Sequence, residues 1–374
     1  MNPDHVKASG KIRYAVVGLG HIAQAAVLPA FEHASENSVL AALVSDDPIK
    51  LQELGTRYNV PNTYMYAQYD EMLRSGNVDA VYIALPNHLH RQYTERAARA
   101  GVHVLCEKPM AVTVPDCEAM IRAAREGNVK LMIAYRLHFE EANLSAIELC
   151  ESGKLGDVKL FNSAFTMQVA DRNIRLSREM GGGPIYDIGI YCINAARYIF
   201  RDEPTEVFAF LGNTGDPRFR DVEEQAAVCL YFPHGRVASF EVSFGAAPMA
   251  RYDVIGTRGT LSMLQAYEYE SPITQFVTIE GKSSAREFHK RDQFAPELIY
   301  FSNCILQNKE PEPDGYEGLA DVRIIEGIFE SARSTKSALI DPLQLRSRPS
   351  LAQQIKRPAV SEPELVHAFP PSKD

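Results

Sequence analysis

YAVVGLGHIA, residues 14–23, joins a short apolar run to the pattern G-x-G-x-x-A. The apolar run predicts a buried strand, and the pattern after it predicts a tight turn that opens a helix. In this arrangement the glycines let the backbone approach a pyrophosphate, and the first helical amides bind its oxygens. The stretch therefore predicts a dinucleotide site that contains Gly18, Leu19, Gly20, His21 and Ile22.

The motif lies in a region where strand-like and helix-like segments alternate. Apolar runs recur at residues 39–44, 80–85, 102–106 and 130–134. Helix-like segments separate them at residues 48–58, 88–100 and 114–126. Alternation at these lengths predicts a doubly wound parallel sheet, and we place this Rossmann domain at residues 11–136.

Beyond about residue 150 the sequence becomes rich in short β-type runs. They lie at residues 158–165, 205–211, 226–232, 237–244, 252–255 and 260–264. Residues 233–235 and 257–259 are typical of hairpin connections. We predict an α/β fold class in which residues 137–340 form an α+β domain with a large, mainly antiparallel open sheet. Residues 341–374 contain six prolines and predict an extended arm or a disordered tail.

Length and composition limit the classes of protein to consider. A chain of 374 residues favours two domains. The net charge of −9, without a run of Lys or Arg, argues against nucleic acid or an anionic membrane as the partner. We find no CxxC pair, no apolar stretch of spanning length and no signal-peptide core. The expectation is a soluble, cytoplasmic protein, and the ten histidines give no pattern of a metal site.

The end of the second strand bears on the choice between NAD and NADP. Ser45 directly follows the apolar run where NAD enzymes place an acidic residue, and Lys50 lies about one helical turn further on. A hydroxyl and a cation suit a 2′-phosphate, so the sequence favours NADP. If the register slips by one residue, Asp46 becomes the ribose ligand and NAD becomes the cofactor.

The segment GGGPIYDIGIY, residues 181–191, is the strongest candidate for chemistry in the second domain. Asp187 and Tyr191 are four residues apart, so a helix would place both side chains on one face. A phenol can transfer a proton when a neighbouring cation favours its phenolate form. The same residues also fit an ordinary glycine-rich helix entry. Lys108, at the end of a strand-like run, would supply the cation, because ligands bind at the carboxyl ends of parallel strands.

Another strand-like run ends at the same predicted edge of the sheet. Pro86 and Asn87 would line the nicotinamide side there, whereas His90 fits a helix or a pocket wall. From the two strand ends we assign six residues to the cofactor site: Leu85, Pro86, Asn87, His90, Glu107 and Lys108.

Together these motifs resemble the glucose-fructose oxidoreductase family of NAD(P)-dependent oxidoreductases, in particular its glucose-fructose oxidoreductase and NADP-dependent xylose dehydrogenase subgroup. The resemblance extends from about residue 11 to residue 339 and rests on residues 18–23, 84–90, 106–110, 134–136, 181–191 and 331–333. It implies a Rossmann domain joined to a domain whose open sheet packs against another subunit. We therefore expect a homodimer or a homotetramer.

The resemblance also implies roles for individual residues. Lys108 and Tyr191 would form the catalytic pair, with Asp187 in support, and the Lys108–Pro109 peptide bond would be cis. Ser45 and Lys50 match the NADP-binding positions of the subgroup. Further contacts with the cofactor or the substrate would come from Arg136, Ile174, Arg175 and Tyr269, and Arg178 would help to shape the sugar pocket.

The predicted function is an NADP-dependent sugar oxidoreductase that oxidises an aldose at C1 to its lactone. A second sugar could serve as the hydride acceptor. Two alternatives use the same residues: reduction of a keto- or dicarbonyl sugar, and oxidation of a trans-dihydrodiol. An alternative from another class is a non-catalytic, NADP-binding regulator with a sugar or a protein in the cleft.

Overall fold

The computed structural model describes residues 10–344 and 347–372. The first half of the chain builds a six-stranded sheet in which all neighbouring strands are parallel. Its strands are β1 Ile12–Val17, β2 Ser38–Val44, β3 Thr63–Tyr64, β4 Ala80–Ile83, β5 His103–Glu107 and β6 Leu131–Ala134. Their order across the sheet, β3-β2-β1-β4-β5-β6, reverses direction at β1. This is the doubly wound Rossmann arrangement, so the predicted class of the first sheet is confirmed.

Helices cover both faces of this sheet because its strands are mostly apolar on both faces and need burial on each side. A π-helical segment, Ala23–Val27, leads directly into the first helix. The helices are α1 Leu28–His33, α2 Pro48–Arg57, α3 Tyr69–Arg74, α4 His90–Arg99 and α5 Val114–Glu126. The crossovers place the carboxyl ends of β1, β4 and β5 at one edge, where a ligand of such a sheet binds.

The second half of the chain builds a nine-stranded mixed sheet. Its strands are β7 Val158–Gln168, β8 Glu206–Gly212, β9 Gln225–Phe232, β10 Arg236–Ser243, β11 Gly245–Gly256, β12 Gly259–Leu264, β13 Ile273–Ile279, β14 Lys282–Phe288 and β15 Ala338–Leu339. Only the β7–β10 pair is parallel among the described strand pairs of this sheet. The predicted large, mainly antiparallel sheet is therefore confirmed, including hairpins at residues 233–235 and 257–259.

Helices cover one face of the second sheet and leave the other face open. The helices of this half are α6 Glu141–Glu151, α7 Ile190–Phe200, α8 Ala295–Leu306 and α9 Gly315–Ser334. Of these, α8 packs against β1 and β2 of the first sheet. Along β9, buried and exposed residues alternate strictly, as expected for a sheet with one covered face. The open face exposes large apolar side chains, among them Leu160, Phe210, Tyr231 and Phe276.

Helix α9 connects the two halves because it packs against β8 of the second sheet and against α5 of the first. The helix begins at Asp314, whose Oδ1 accepts hydrogen bonds from the backbone N–H groups of Tyr316 and Glu317 at 2.8 and 3.2 Å. An acidic N-cap of this kind satisfies amides that have no partner within the helix.

We expect the substitution Asp314→Ala to lower the free energy of unfolding by about 1 kcal/mol, because it leaves these amides without their acceptor. Urea denaturation at neutral pH measures the change. The matched control is Asp314→Asn, which keeps the acceptor oxygen and is expected to cost only a few tenths of a kcal/mol. Equal destabilisation by both substitutions would contradict the capping role.

Some elements were not predicted from the sequence. The hairpin formed by β13 and β14 and the helix α6 carry no clear apolar period, and six of the seven residues of β14 are exposed. The sequence predicts helices at about residues 297–307 and 319–335, whereas α8 begins slightly earlier, at Ala295, and α9 at Gly315. No helix within residues 10–344 and 347–372 is long and apolar enough to cross a membrane.

The predicted C-terminal arm, residues 341–374, is described except for residues 345–346 and 373–374. Its described part lacks strands of the two sheets. It first contacts the second half of the chain, where Arg348 pairs with Glu203, and then reaches the first half. Side-chain contacts fix it there, for example from Arg357 to the carbonyl of His33 and to Glu36. These contacts continue towards the nucleotide cleft.

Candidate active site

The glycine-rich turn after β1 lies at the predicted ligand edge of the first sheet. Gly18 has a φ of +95°, and a Cβ atom built on it would lie 2.6 Å from the carbonyl oxygen of Ala84. Only glycine fits this close approach to the end of β4. A Cβ on Gly20, by contrast, would meet no atom within 4 Å, so this part of the turn is open. The turn therefore has the shape that a dinucleotide pyrophosphate requires.

Lys108 follows β5 at the same edge and points into the second half of the chain. Its Nζ donates a hydrogen bond of 2.8 Å to the carbonyl oxygen of Asp187 and lies 3.5 Å from the carboxylate oxygen Oδ1. The side chain is 13% exposed, so the ammonium is largely shielded from water. The Lys108–Pro109 peptide bond is cis, as the resemblance implied.

Asp187 is the centre of an ion cluster with two cations. The Nε of Arg175 lies 2.6 Å from Oδ2 of Asp187, while Lys108 approaches the other carboxylate oxygen. Burial alone would raise the pKa of Asp187, but the charges of Arg175 and Lys108 outweigh it and hold the pKa below its usual value. Asp187 is therefore ionised at neutral pH and fixes the direction of both cations.

Tyr191 lies one turn after Asp187 and meets two cations. The Nζ of Lys108 is 4.6 Å from the centroid of its ring, and Nη2 of Arg136 donates a hydrogen bond of 3.3 Å to its hydroxyl. Asp187 lies in a π-helical turn, Ile185–Gly189, which leads into α7. The predicted common face of Asp187 and Tyr191 thus exists, although the first residue is not in a regular α-helix. Such π-helical turns are frequent at functional sites.

Arg136 is 5% exposed and is fixed by groups from the second half of the chain. Its guanidinium donates short hydrogen bonds to the side chain of Gln293 and to the carbonyl oxygen of Tyr267. The guanidinium carbon also lies 5.3 Å from the ring centroid of Tyr269. Arg136 is therefore a buried, immobilised cation beside the Tyr191 hydroxyl.

The glycine loop before Asp187 packs against the loop after β4. The amide of Asn87 donates a hydrogen bond of 2.8 Å to the carbonyl oxygen of Gly181. Gly181 has a φ of +77°, and a Cβ on it would lie 2.6 Å from Val112 and 2.8 Å from Asn87. A larger residue would separate the two loops, so this glycine keeps Asp187 close to Lys108.

The remaining residues at the ends of β4 and β5 have different environments. Pro86 precedes the short helix that carries Asn87, and Leu85 is 7% exposed. Glu107 accepts a hydrogen bond from the hydroxyl of Tyr82 at 2.8 Å, and burial raises its pKa although Lys108 opposes the shift.

The structure corrects the assignment of His90 to direct cofactor contact. His90 is fully buried, and its ring nitrogens lie 2.9 and 2.8 Å from the carbonyl oxygens of Pro109 and Leu85. It has no surface that a ligand could reach. Because both carbonyls belong to loops of the site, His90 supports the site indirectly by joining these loops.

At the ribose end, Ser45 directly follows β2, so the register has not slipped. Ser45 is 2% exposed, its N–H donates to the carbonyl oxygen of Tyr64, and its Oγ accepts from the N–H of Asp47. Asp47 caps α2 by accepting from the N–H groups of Ile49 and Lys50. The ammonium of Lys50 has no hydrogen-bonding or ionic partner within the described part of the chain. The end of β2 therefore has the hydroxyl of Ser45 and, on Lys50, a cation without a partner among the described residues.

The wall opposite the glycine-rich turn comes from the loop after β7. Burial and the charge of Arg175 lower the pKa of His21, whereas the charge of Glu270 opposes the shift. Ile174 is 49% exposed beside Arg175. Arg178 donates to the carbonyl oxygen of Asp221, so it holds the loop rather than the ion cluster.

A pocket of about 240 Å³, including its mouth, lies beside Tyr191. Its lining residues are Lys108, Tyr135, Arg136, Leu137, Ile190, Tyr191 and Asn194.

Sequence reasoning missed the residues that immobilise the site. Gln293 and the carbonyl of Tyr267 hold Arg136, yet neither lies in a recognisable motif. The π-helical turn has no signal in the sequence either. Of the two tyrosines in residues 265–270, only Tyr269 was predicted to lie at the site, and Tyr267 was missed. Among the described residues, no group of three or more His, Cys, Asp or Glu could hold a metal ion.

Two family models match the chain over most of its length. Residues 12–135 match the model of an oxidoreductase family with an NAD-binding Rossmann fold. Residues 144–262 match the GFO/IDH/MocA C-terminal domain. The first match spans the first sheet, the second spans β7 to β11 and most of β12, and the C-terminal arm lies outside both models.

Known proteins of similar sequence or structure act on sugars. A D-xylose 1-dehydrogenase [NADP(+)] of Haloarcula marismortui is 31% identical over 339 residues, which covers 88% of this chain and 93% of the relative. The crystal structure of an aldose-aldose oxidoreductase from Caulobacter crescentus, complexed with glycerol, has a TM-score of 0.85 and 40% identity, covering 88% of this chain and 100% of its own.

A third similar protein is a 3-ketoreductase from Actinomadura kijaniata, solved in complex with NADP and TDP-benzene. It has a TM-score of 0.79 and 26% identity, and the match covers 86% of this chain and 98% of the other. Together with the two family models, these matches establish that the chain belongs to the GFO/IDH/MocA family of oxidoreductases with an NAD-binding Rossmann fold.

Proposed function

We propose that this chain is an NADP-dependent sugar oxidoreductase that oxidises an aldose at C1 to the lactone. We further propose that a second sugar carbonyl can take up the hydride. The observation that carries the proposal is the convergence of Lys108, Arg136 and Asp187 on Tyr191, at the edge where the glycine-rich turn opens. A phenol with two cations beside it is suited to take a proton from a sugar hydroxyl.

When bound, the nicotinamide supplies the hydride chemistry. Tyr191 accepts the proton of the C1 hydroxyl as that carbon is oxidised, and it returns a proton when a carbonyl is reduced. Lys108 donates a hydrogen bond to the reacting oxygen, and Arg136 donates one to the hydroxyl oxygen of Tyr191. Asp187 keeps Lys108 and Arg175 in place through its ionised carboxylate.

The preference for NADP is supported by the ribose end of the cleft. Ser45 offers a hydroxyl, Lys50 offers an uncommitted cation, and Asp47 is engaged as a helix cap. NAD enzymes of this fold use a free carboxylate here, which would repel a 2′-phosphate. We therefore expect NADP to bind more tightly than NAD. The xylose dehydrogenase and the ketoreductase described above carry NADP in their names or complexes.

Absorbance near about 340 nm tests the reaction, because only the reduced nicotinamide absorbs there. Freshly purified protein is mixed first with glucose, xylose or another aldose and then with fructose or a second aldose. A bound chromophore that is reduced by one sugar and reoxidised by the other supports the sugar-to-sugar cycle. Steady NADPH formation that needs added NADP supports a dehydrogenase with exchangeable cofactor.

Two other outcomes would replace the proposal. Reduction of keto sugars without oxidation of any aldose would favour the reductase, a possibility raised by the similarity to the 3-ketoreductase. NADP binding without hydride transfer from or to any sugar would favour the non-catalytic regulator. The presence of Lys108, Asp187 and Tyr191 together argues against the regulator, because a protein that only binds its ligand does not need a proton-transferring group beside two charged side chains.

We also propose that two or four copies of the chain associate through the nine-stranded sheet. Its open face carries the exposed apolar side chains of Leu160, Phe210, Tyr231 and Phe276. Light scattering measures the subunit number.

A further inference from the structure

The C-terminal segment Glu364–Ser372, here called the strap, contacts the nucleotide cleft at several points. Neither family model includes these residues. The carbonyl oxygen of Glu364 accepts a hydrogen bond from Arg57 at the end of α2. From there the strap passes the glycine-rich turn and the end of β2 before it reaches the second half of the chain.

Gln24 fixes the strap to the glycine-rich turn through a buried amide. Its Oε1 accepts from the N–H of Val366 at 2.7 Å, and its Nε2 donates to the carbonyl oxygen of Val366 at 2.8 Å. The same Nε2 donates to the carbonyl oxygen of Leu19 within the turn. Gln24 is 1% exposed and Val366 is 5% exposed, so water does not compete for these bonds. The amide thus connects the strap to the backbone of the predicted pyrophosphate site.

His367 extends this contact to the ribose end. Its Nδ1 lies 2.7 Å from Oδ2 of Asp47, the cap of α2. Its φ of +46° is a left-handed conformation that is unfavourable for a residue other than glycine. The ring remains half exposed, and within the described residues its Nε2 has no hydrogen-bonding partner. His367, Ser45 and Lys50 therefore all contact the same residue, Asp47.

The far end of the strap binds the second half of the chain. The N–H of Ala170 donates to the carbonyl oxygen of Pro371 at 2.8 Å, and Val169 forms an antiparallel bridge with Ser372. His367 and Pro371 are four residues apart, so at most about 14 Å separates their Cα atoms. Because Ala170 belongs to the loop that leads to Arg175, the strap crosses the cleft from the ribose end to the wall of the catalytic site.

We propose that the strap is a nucleotide-binding element in which His367 binds the 2′-phosphate of NADP beside Ser45 and Lys50. This inference rests on the proposed NADP dependence. An imidazolium placed between the carboxylate of Asp47 and a phosphate donates from Nδ1 to the first and from Nε2 to the second. Since both ends of the strap are attached, a nucleotide beneath it leaves only when the strap opens. The strap thus retains the cofactor while two sugars exchange in turn.

Cofactor release is the first test. The chain has no tryptophan, so NADPH fluorescence reports dissociation without a tryptophan background. Removal of residues 364–374 is expected to raise the dissociation rate of NADPH at least about tenfold, since it removes the attached cover and a charge-assisted hydrogen bond. If the shortened chain keeps its melting temperature and its dissociation rate is unchanged, the proposal that the strap retains the cofactor is wrong.

A point variant tests the contact with the phosphate. His367→Ala is expected to raise the Kd of NADP⁺ about tenfold and to leave that of NAD⁺ within about twofold. The matched control is His289→Ala, which removes an 83% exposed imidazole that also faces a carboxylate, at the end of β14. Equal weakening of NADP⁺ and NAD⁺ binding by His367→Ala would overturn the contact with the 2′-phosphate.

Hydrogen exchange in the full chain keeps the test independent of any variant. NADP⁺ is expected to slow exchange of the Val366 amide and its neighbours in the strap, and NAD⁺ to slow it less. Identical exchange with and without NADP⁺, at a concentration that saturates binding, would overturn the inference and leave the proposed function intact. If the full chain binds no NADP⁺ at all, both the proposed function and the strap are wrong.

Discussion

We expect Tyr191→Phe to lower turnover with an aldose by roughly 10²-fold or more, while the Kd of NADP⁺ changes little. The substitution removes only the hydroxyl, which accepts a hydrogen bond from Arg136 at 3.3 Å. Without it, no group in the cluster can take the proton of the sugar hydroxyl, because Lys108 is a cation and Asp187 is engaged by two cations. The ring itself remains and still packs against Phe165 and Tyr267.

Tyr198→Phe is a matched control on the same helix. Tyr198 is almost fully buried, and its hydroxyl lies 3.3 Å from the side chain of Asn143 rather than facing the ion cluster. Loss of this hydroxyl is expected to change turnover by less than about threefold, with only a modest effect on stability. Equal loss of turnover in both variants would show that the effect at Tyr191 reflects packing rather than proton transfer.

The second large effect is expected for Lys108→Ala, which should also lower turnover by roughly 10²-fold or more. The change removes the hydrogen-bond donor to the reacting oxygen and one of the two cations beside the ring of Tyr191. Folding is expected to survive because Asp187 keeps Arg175 as a partner at 2.6 Å. Steady-state kinetics and the melting temperature separate the two effects.

Lys130→Ala is the control for Lys108. Lys130 directly precedes β6, at the end of the sheet away from the cleft. Its side chain is 13% exposed, like that of Lys108, and its ammonium pairs with Glu310. Turnover of this variant is expected to equal that of the parent chain. If Lys108→Ala retains full turnover, the assignment of Lys108 to the reaction is wrong.

The doubly wound class of the first sheet and the position of the ligand edge could be predicted because they depend on strong local patterns. The glycine pattern after β1 reflects a steric requirement, since a Cβ on Gly18 would clash with Ala84. Buried parallel strands contain nearly continuous apolar runs, so most of β1, β2 and β4 is visible in the sequence. Residues that end such strands, including Lys108, were placed correctly at the sheet edge for the same reason.

Other features depend on contacts between distant residues and have no local signal. Arg136 meets Tyr191 only because Gln293 and Tyr267, more than 130 residues away, hold its guanidinium. His90 looked accessible from its position after a strand, but tertiary packing buries it completely. The hairpin of β13 and β14 lies at the exposed edge of the sheet, where alternation of apolar residues is not required.

The C-terminal arm shows the limit of composition as a guide. Its prolines and weak periodicity gave no position for the segment on the body of the protein. The contacts of Val366 and His367 are made by single residues to Gln24 and Asp47, more than 300 positions earlier. Pairing at such a separation follows from the folded structure alone.

The most direct test of the central claim follows a deuterium atom from C1 of an aldose. Xylose or glucose labelled with deuterium at C1 is incubated with the protein and NADP⁺, and the nicotinamide and the sugar product are analysed by mass spectrometry. We predict that the deuterium found in the reduced nicotinamide and in any sugar reduced by it together equals the lactone formed, and that Tyr191→Phe and Lys108→Ala slow label transfer and lactone formation together. Binding of NADP⁺ without transfer of the label from any aldose would contradict the account.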